Sequence, residues 1–454
     1  MDKLHNFLAH SAQREIWSDD AVIQTFLKYE AALALAQKAC EVIPANAADV
    51  IERVCQDIRI DPQSLATEAR FAGTLAIPLM KQLKASVAAV DPEAAAYVHY
   101  GSTSQDLADT AVVLLSQTSL RALNQDLLKL GQALAERIET TRHTPLLGRT
   151  LIQPAAPVTF GWKLAGWLDA LTRNSANLLR AGQEAAALQF GGANGTLATH
   201  YGRGQQVAQA LAARLGLHAP AISWQSQRDR LARLAAELAI LTGSLGKWGR
   251  DISLLMQVEV AEAFEPTGNG RGGSSAMPHK RNPVSSMFLM DGAYRAPALA
   301  QTLIGELASE HERGLGTWAN NLPILADLFA LTASSVTAAL DIAQHARIDE
   351  AAMQRNIDAL YGVVYSEGIS LRLSALLGPK AAAAIVAEVC QAALSTQTPV
   401  VELLKRHEQV NAVLSLAEIE QLAGIDTQIA ACQPMCSAVI LQWEHHQSTL
   451  QTQE

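Results

Sequence analysis

Apolar residues recur at spacings of three and four along much of the chain. Between 231 and 257, Leu231, Leu234, Leu238, Leu241, Leu245, Trp248, Ile252, Leu255 and Met256 follow a helical period. Residues 112 to 138 and 161 to 190 obey the same rule. Apolar stripes of such length are satisfied by packing on other helices, so the pattern predicts long antiparallel helices and an all-α fold. Alternation of period two is scarce, and Val158-Thr159-Phe160 is at best a short strand. Before Val90 the periodic stretches are shorter and broken at Pro44, Pro62, Pro78 and Pro92. After Tyr361 a fresh set of shorter helices begins. These shifts predict an N-terminal helical domain over 1–110, a central long-helix bundle over 111–360 and a C-terminal helical domain over 361–454, with no tandem repeat. The tail Glu-His-His-Gln-Ser-Thr-Leu-Gln-Thr-Gln-Glu at the C-terminus reads as fraying.

Composition narrows the class. Hydrophobic residues make up 49% of the chain and charged ones 17%, little charge for a solvated monomer, so part of the apolar surface is expected to meet other subunits. The net charge of −9 and pI near 5.8 argue against a general polyanion binder, and no basic-aromatic cluster suggests nucleic acid. Five scattered cysteines without a CxxC read as small buried hydrophobes in a reducing compartment. The N-terminal stretch MDKLHNFLAHSAQ has no apolar signal core, and no uncharged apolar run reaches membrane-spanning length. A cytoplasmic protein without a membrane partner is expected.

The breaks between helices hold the unusual chemistry: HYGSTSQD at 99–106, GRTLIQPAAP at 148–157, QFGGANGT at 189–196 and TGNGRGGSSAMPHKRNPVSSMF at 267–288. Gly268, Gly270 and Gly273 fit G-x-G-x-x-G, but a helical stretch precedes them instead of a strand, so the dinucleotide reading fails. A phosphate loop fails because Ser274 stands where lysine is required. The glycines read as hinges of a lid. No acidic residue lies between Glu265 and Asp291, whereas Arg271, Lys280 and Arg281 are cationic and His279 is titratable. That charge suits a substrate with several carboxylates met by a mobile hydroxyl.

The stretch Gly273-Ser274-Ser275-Ala276-Met277-Pro278-His279-Lys280-Arg281-Asn282-Pro283 resembles the GSSxMPxKxNP signature of the fumarase/aspartase superfamily, with every fixed position present. HYGSTSQD, Gly148-Arg149-Thr150 with Gln153, and Gln227-Arg228-Asp229 agree in order, so the resemblance covers essentially the whole chain. It implies three mostly helical domains, a tetramer core formed by the bundles of four subunits, and active sites that combine segments of different subunits. Members break or form a bond β to a carboxylate through an aci-carboxylate carbanion. By matching position, Ser274 handles the Cα proton, while Lys280 and Asn282 fix the carboxylate and stabilise the carbanion. A serine needs a cation and backbone N–H groups to stabilise its alkoxide, and this loop supplies both. Candidate substrate contacts are His99, Thr103, Ser104, Arg149, Gln153, Ser275 and Met277, although Ser275 reads first as a turn former. Arg228 and Asp229 are expected to brace the site as a pair. His311 and Arg313 are left between the pocket and an ion pair with Glu310 or Glu312.

Departures from the pattern select a branch. Where adenylosuccinate lyase carries a catalytic histidine in its GRTH block, this chain has Leu151, which transfers no proton. The lyase's early His-Asp pair is replaced by Ala72-Gly73-Thr74-Leu75, and no Ser/Arg-rich run follows Arg313. A carboxylate of the substrate itself, with a pKa of about 4, attacks or departs without needing an acid. Holding it in the same molecule adds the proximity advantage. The segments REIWSD, YVHYGSTSQD, LQFGGANGTL, QRDRL, SLGKWGRDISLLMQ and EHERGLG resemble the 3-carboxy-cis,cis-muconate cycloisomerase branch. That branch commonly has an aromatic residue at the position of Leu151. The resemblance implies reversible lactonisation of a tricarboxylate to 4-carboxymuconolactone in the protocatechuate branch of the β-ketoadipate pathway, with no metal or cofactor. The alternatives are a C–N lyase like adenylosuccinate lyase and, from another class, a non-catalytic crystallin-like protein. Retention of Ser274, Lys280 and Asn282 together argues against the second.

Overall fold

A computed structural model describes residues 7–268 and 270–451. The first six residues of the N-terminal stretch and the last three of the C-terminal tail lie outside the described residues. Helices dominate, with eighteen α-helices among the described residues, as the periodicity predicts. Every apolar position named between Leu231 and Leu255 is buried on the helix Asp229–Leu255. The C-terminal stretch departs from the fraying expectation. It continues the helix Asp426–Gln451, where Trp443, His446 and Leu450 are buried. The segment Trp318–His345 is long and apolar enough by composition to cross a bilayer, yet 72% of its apolar window is buried inside the protein.

The chain forms two compact units. One comprises Met1–Asp126, Asn174–Gly246 and Asp291–Val336. In it the helix Asp19–Ala39 is capped by Ser18, which accepts from the Ala21 N–H, and carries Asp19 and Asp20 in its first turn. It buries Phe26, Leu27, Tyr29 and Leu33 and packs on the helices Ala45–Asp57 and Gly204–Leu215. The first turns of the helix Ser104–Thr141 bury Gln105, Asp106, Asp109 and Thr110. So many buried polar groups on one helix require partners.

The other unit comprises Leu127–Arg173, Lys247–Met290 and Thr337–Glu454. Its C-terminal helices gather Ile369, Leu373, Ile385, Val389, Leu404 and Ile419 into one apolar cluster that includes Leu147. Trp167 stacks on Trp248 with ring centroids 5.1 Å apart. Here the sequence reading missed an element. GRTLIQPAAP is not a loop but part of a hairpin of strands Pro145–Thr150 and Gln153–Thr159. Thr150 pairs with Gln153, leaving Leu151 and Ile152 as the two-residue turn at φ 50° and 66°. Turns of this geometry favour Asn-Gly, so two apolar residues there carry no hairpin signal. The helix expected to run to 190 stops at Ala185. Beyond it Leu188 N–H donates to His218 O at 2.9 Å, and the Gln189 side chain is drawn into the network described next.

Candidate active site

The turn HYGSTSQD leads into the helix that begins at Ser104. Asp106 lies in its first turn and is fully buried. One carboxylate oxygen accepts from Gln189 Nε2 at 2.8 Å and Gly191 N at 3.0 Å; the other accepts from Gly192 N at 2.9 Å and Thr103 N at 3.1 Å. Burial pushes the carboxyl up to about 6 against the pull of these donors. Asp106 thereby staples HYGSTSQD to QFGGANGT. Gly101, at φ 67°, packs its bare Cα against His200, where an added Cβ would lie 2.3 Å from Cε1.

Two predicted residues of this turn share a partner. Arg313 donates to Thr103 Oγ1 at 2.8 Å and to Ser104 Oγ at 2.9 Å, with its guanidinium 5.4 Å from the Trp318 ring centre. Arg313 therefore pairs with neither Glu310 nor Glu312; Glu310 instead accepts from Leu315 N at 3.0 Å. Since each hydroxyl oxygen accepts from Arg313, each O–H remains to donate to an anion. His99, at φ 59°, places Nδ1 2.6 Å from Glu30 Oε1. Arg228 and Asp229 do not brace each other. Arg228 forms a buried bidentate pair with Asp109 at 2.6 and 2.9 Å, and Asp229 pairs with Arg233 on the exposed side. Arg228 faces inward among buried groups, whereas Asp229 begins a helix at its solvent edge.

In the other unit, the signature loop is closed by its own backbone. Asn282 N–H donates to Gly272 O at 2.8 Å and its carboxamide to Gly273 O at 3.4 Å. Ser274 Oγ accepts from Ala276 N at 3.3 Å and Met277 N at 3.1 Å. The turn former is thus Ser274, not Ser275, and the same two N–H dipoles stabilise negative charge on its oxygen. Ser275, Met277, His279 and Lys280 are exposed. Arg271 does not add to the loop's free positive charge, because it pairs with Asp341 and Ser285. Downstream, the helix Val284–Gly305 is capped by buried Glu265, which accepts from Ser285 N at 2.8 Å and Ser286 N at 2.7 Å. This cap anchors the C-terminal end of the loop.

On the hairpin, Arg149 grips Glu262 with two bonds of 2.8 Å, and Asn356 also donates to that buried carboxylate. Its guanidinium therefore orients the hairpin. Gln153 is exposed at the start of the second strand, and Leu151 and Ile152 at the tip are 96% and 84% exposed. Lys163, half-buried in the same unit, has its ammonium pushed down, chiefly by burial. Sequence reasoning missed Glu30 and Glu262, and it flagged the stretch that opens with Gln189 without giving that side chain a role. Of the missed pair, only Glu30 left a trace, as a lone acid in the apolar run YEAALALAQ.

The signature loop offers a hydroxyl whose oxygen is held by N–H groups, with Lys280 and Asn282 in the same loop. The other unit, by itself, gathers the Thr103 and Ser104 hydroxyls on the Arg313 guanidinium and sets the His99 imidazole on Glu30. Comparison with known proteins gives the family. A family model described as Lyase matches residues 1–297. The chain is 44% identical over 409 residues to the 3-carboxy-cis,cis-muconate cycloisomerase of Pseudomonas aeruginosa, covering 90% of this chain and 89% of that protein. The crystal structure of 3-carboxy-cis,cis-muconate lactonizing enzyme from Pseudomonas putida superimposes with a TM-score of 0.91 at 39% identity, covering 98% of this chain and all of that one. A fumarate lyase from Mesorhizobium sp. BNC1 superimposes with a TM-score of 0.87 at 30% identity, over 95% of this chain and 98% of that one. Matched by that family model over residues 1–297 and by relatives over nearly its full length, the chain belongs to the lyase family of the fumarase/aspartase superfamily.

Proposed function

We propose that this enzyme is a 3-carboxy-cis,cis-muconate cycloisomerase, interconverting the open tricarboxylate and 4-carboxymuconolactone. The relatives named for that reaction carry the assignment, and the site chemistry supports it. In the lactonising direction a substrate carboxylate oxygen bonds to the distal alkene carbon. The alkene electron pair moves onto a second carboxylate as the aci-anion. Lys280, Asn282 and loop N–H groups hold that charge, and Ser274 delivers its proton to Cα. The alkoxide left on Ser274 is met by the N–H groups of Ala276 and Met277 before reprotonation by solvent. His99, Thr103 and Ser104, with Arg313 behind the hydroxyls, suit a further carboxylate. Leu151 at the hairpin tip supplies no proton, which suits an anionic internal nucleophile and disfavours a nitrogen leaving group.

The reading includes a cytoplasmic homotetramer with active sites built from several subunits. Exposed Met287, Tyr294 and Ile304 along the helix Val284–Gly305 support an apolar contact between copies. The test is a spectrophotometric assay of 3-carboxy-cis,cis-muconate beside adenylosuccinate, without added metal. Loss of muconate absorbance with no fumarate from adenylosuccinate is expected. The reverse pattern would overturn the assignment.

A further inference from the structure

Glu30 has no place in the mechanism above, yet the fold spends a buried carboxylate on His99. Glu30 is 1% exposed, its Oε1 lies 2.6 Å from His99 Nδ1, and its Oε2 has no hydrogen-bond partner among the described residues. A carboxylate oxygen only accepts, so opposite the Glu30 carboxylate Nδ1 carries the proton of this hydrogen bond. The neutral ring then presents a lone pair at Nε2, which repels a carboxylate. Only the imidazolium presents an N–H there.

We infer that Glu30 is a positioning residue that makes anion capture by His99 depend on one proton, by fixing Nδ1 as the donor and holding the ring as imidazolium. Of the influences on His99, burial and Lys84 are outweighed by the two carboxylates. Burial acts to lower its pKa, but the Glu30 carboxylate, through charge and hydrogen bond, and the Asp106 carboxylate more than offset it, with Lys84 opposing; the net direction is above the ordinary 6.5. Tyr29 beside Glu30 stays a neutral phenol, pushed far up by burial and by Asp106 and Glu30, and its hydroxyl is bonded to Ser102. The left-handed backbone of His99 then aims a charged ring from the turn that carries Thr103 and Ser104.

The inference rests on the proposed function only in taking the substrate as the anion, so its test has two arms. In full-length enzyme labelled at histidine Cε1 and assigned with His99→Gln, the His99 resonance is followed against pH in wild type, Glu30→Gln and Lys84→Met. Glu30→Gln is expected to lower the His99 midpoint by about one pH unit or more, and Lys84→Met, an exposed change that spares the buried pair, to raise it slightly. Midpoints unchanged in both variants overturn the inference whatever the substrate is. In the second arm, KM for 3-carboxy-cis,cis-muconate should rise above the wild-type midpoint, and this limb should move down with the Glu30→Gln midpoint while kcat at low pH changes little. A KM limb that ignores the moved midpoint overturns the capture role. A wild-type enzyme that does not turn over this tricarboxylate defeats the proposed function and leaves the resonance arm to decide.

Discussion

Replacing Gly272 by alanine tests whether the closed form of the signature loop is what positions its chemistry. Gly272 sits at φ +63°, where an L side chain is strained by roughly 1–2 kcal/mol. Its added Cβ would lie 2.5 Å from Asn282 O and 3.1 Å from Asn282 N, both backbone atoms that have no rotamer to yield. Restoring ordinary contact moves Asn282 by roughly 1 Å and loosens the 2.8 Å bond from Asn282 N–H to Gly272 O. A displacement of that size at a positioning group costs about 100-fold in rate, or roughly 2.7 kcal/mol of barrier. The loop is largely exposed, so global unfolding should change little. Gly273→Ala is the control, because its Cβ meets nothing nearer than Gly270 O at 3.5 Å and its φ is not left-handed. Turnover of 3-carboxy-cis,cis-muconate is followed by absorbance, with thermal unfolding alongside. A Gly272→Ala enzyme within twofold of wild type, or a Gly273→Ala enzyme equally impaired, refutes the reasoning.

Two further outcomes follow from the same geometry. Ser274→Ala should lower kcat by about 10²–10⁴ and Lys280→Met by roughly 10²–10³, each with a smaller change in KM; wild-type turnover in either variant removes that residue from its role. Burial raises the buried Glu306 carboxyl from 4.5 to about 7 despite Arg228 nearby, so the folded state keeps a proton that the unfolded state loses over that window. Stability should therefore fall as pH rises from 4.5 through 7, by up to roughly 3 kcal/mol from this group, and Glu306→Gln should flatten that fall in urea titrations. An unchanged slope between wild type and variant would show that Glu306 does not titrate there.

The amino-acid order alone determined the helical class, because helical period is a local property: Leu231 through Leu255 face one side whatever they pack against. It also marked the signature loop, since glycines, serines and cations crowd into a stretch without acids. Of the hairpin, only the end of its second strand at Val158-Thr159 was legible; the turn was not, as Leu151 and Ile152 adopt a left-handed turn that their side chains disfavour and the paired strands impose. Charge pairing was likewise decided by the tertiary structure. Glu30 meets His99 from 69 residues away, Arg149 meets Glu262 across 113, and Arg313 reaches Thr103 across 210. Arg271, read as part of the cationic cradle, is instead held by Asp341. A side chain's type and local spacing show that it carries charge. Which opposite charge it meets depends on helices packed far apart in sequence, and so does whether that charge is left for a substrate.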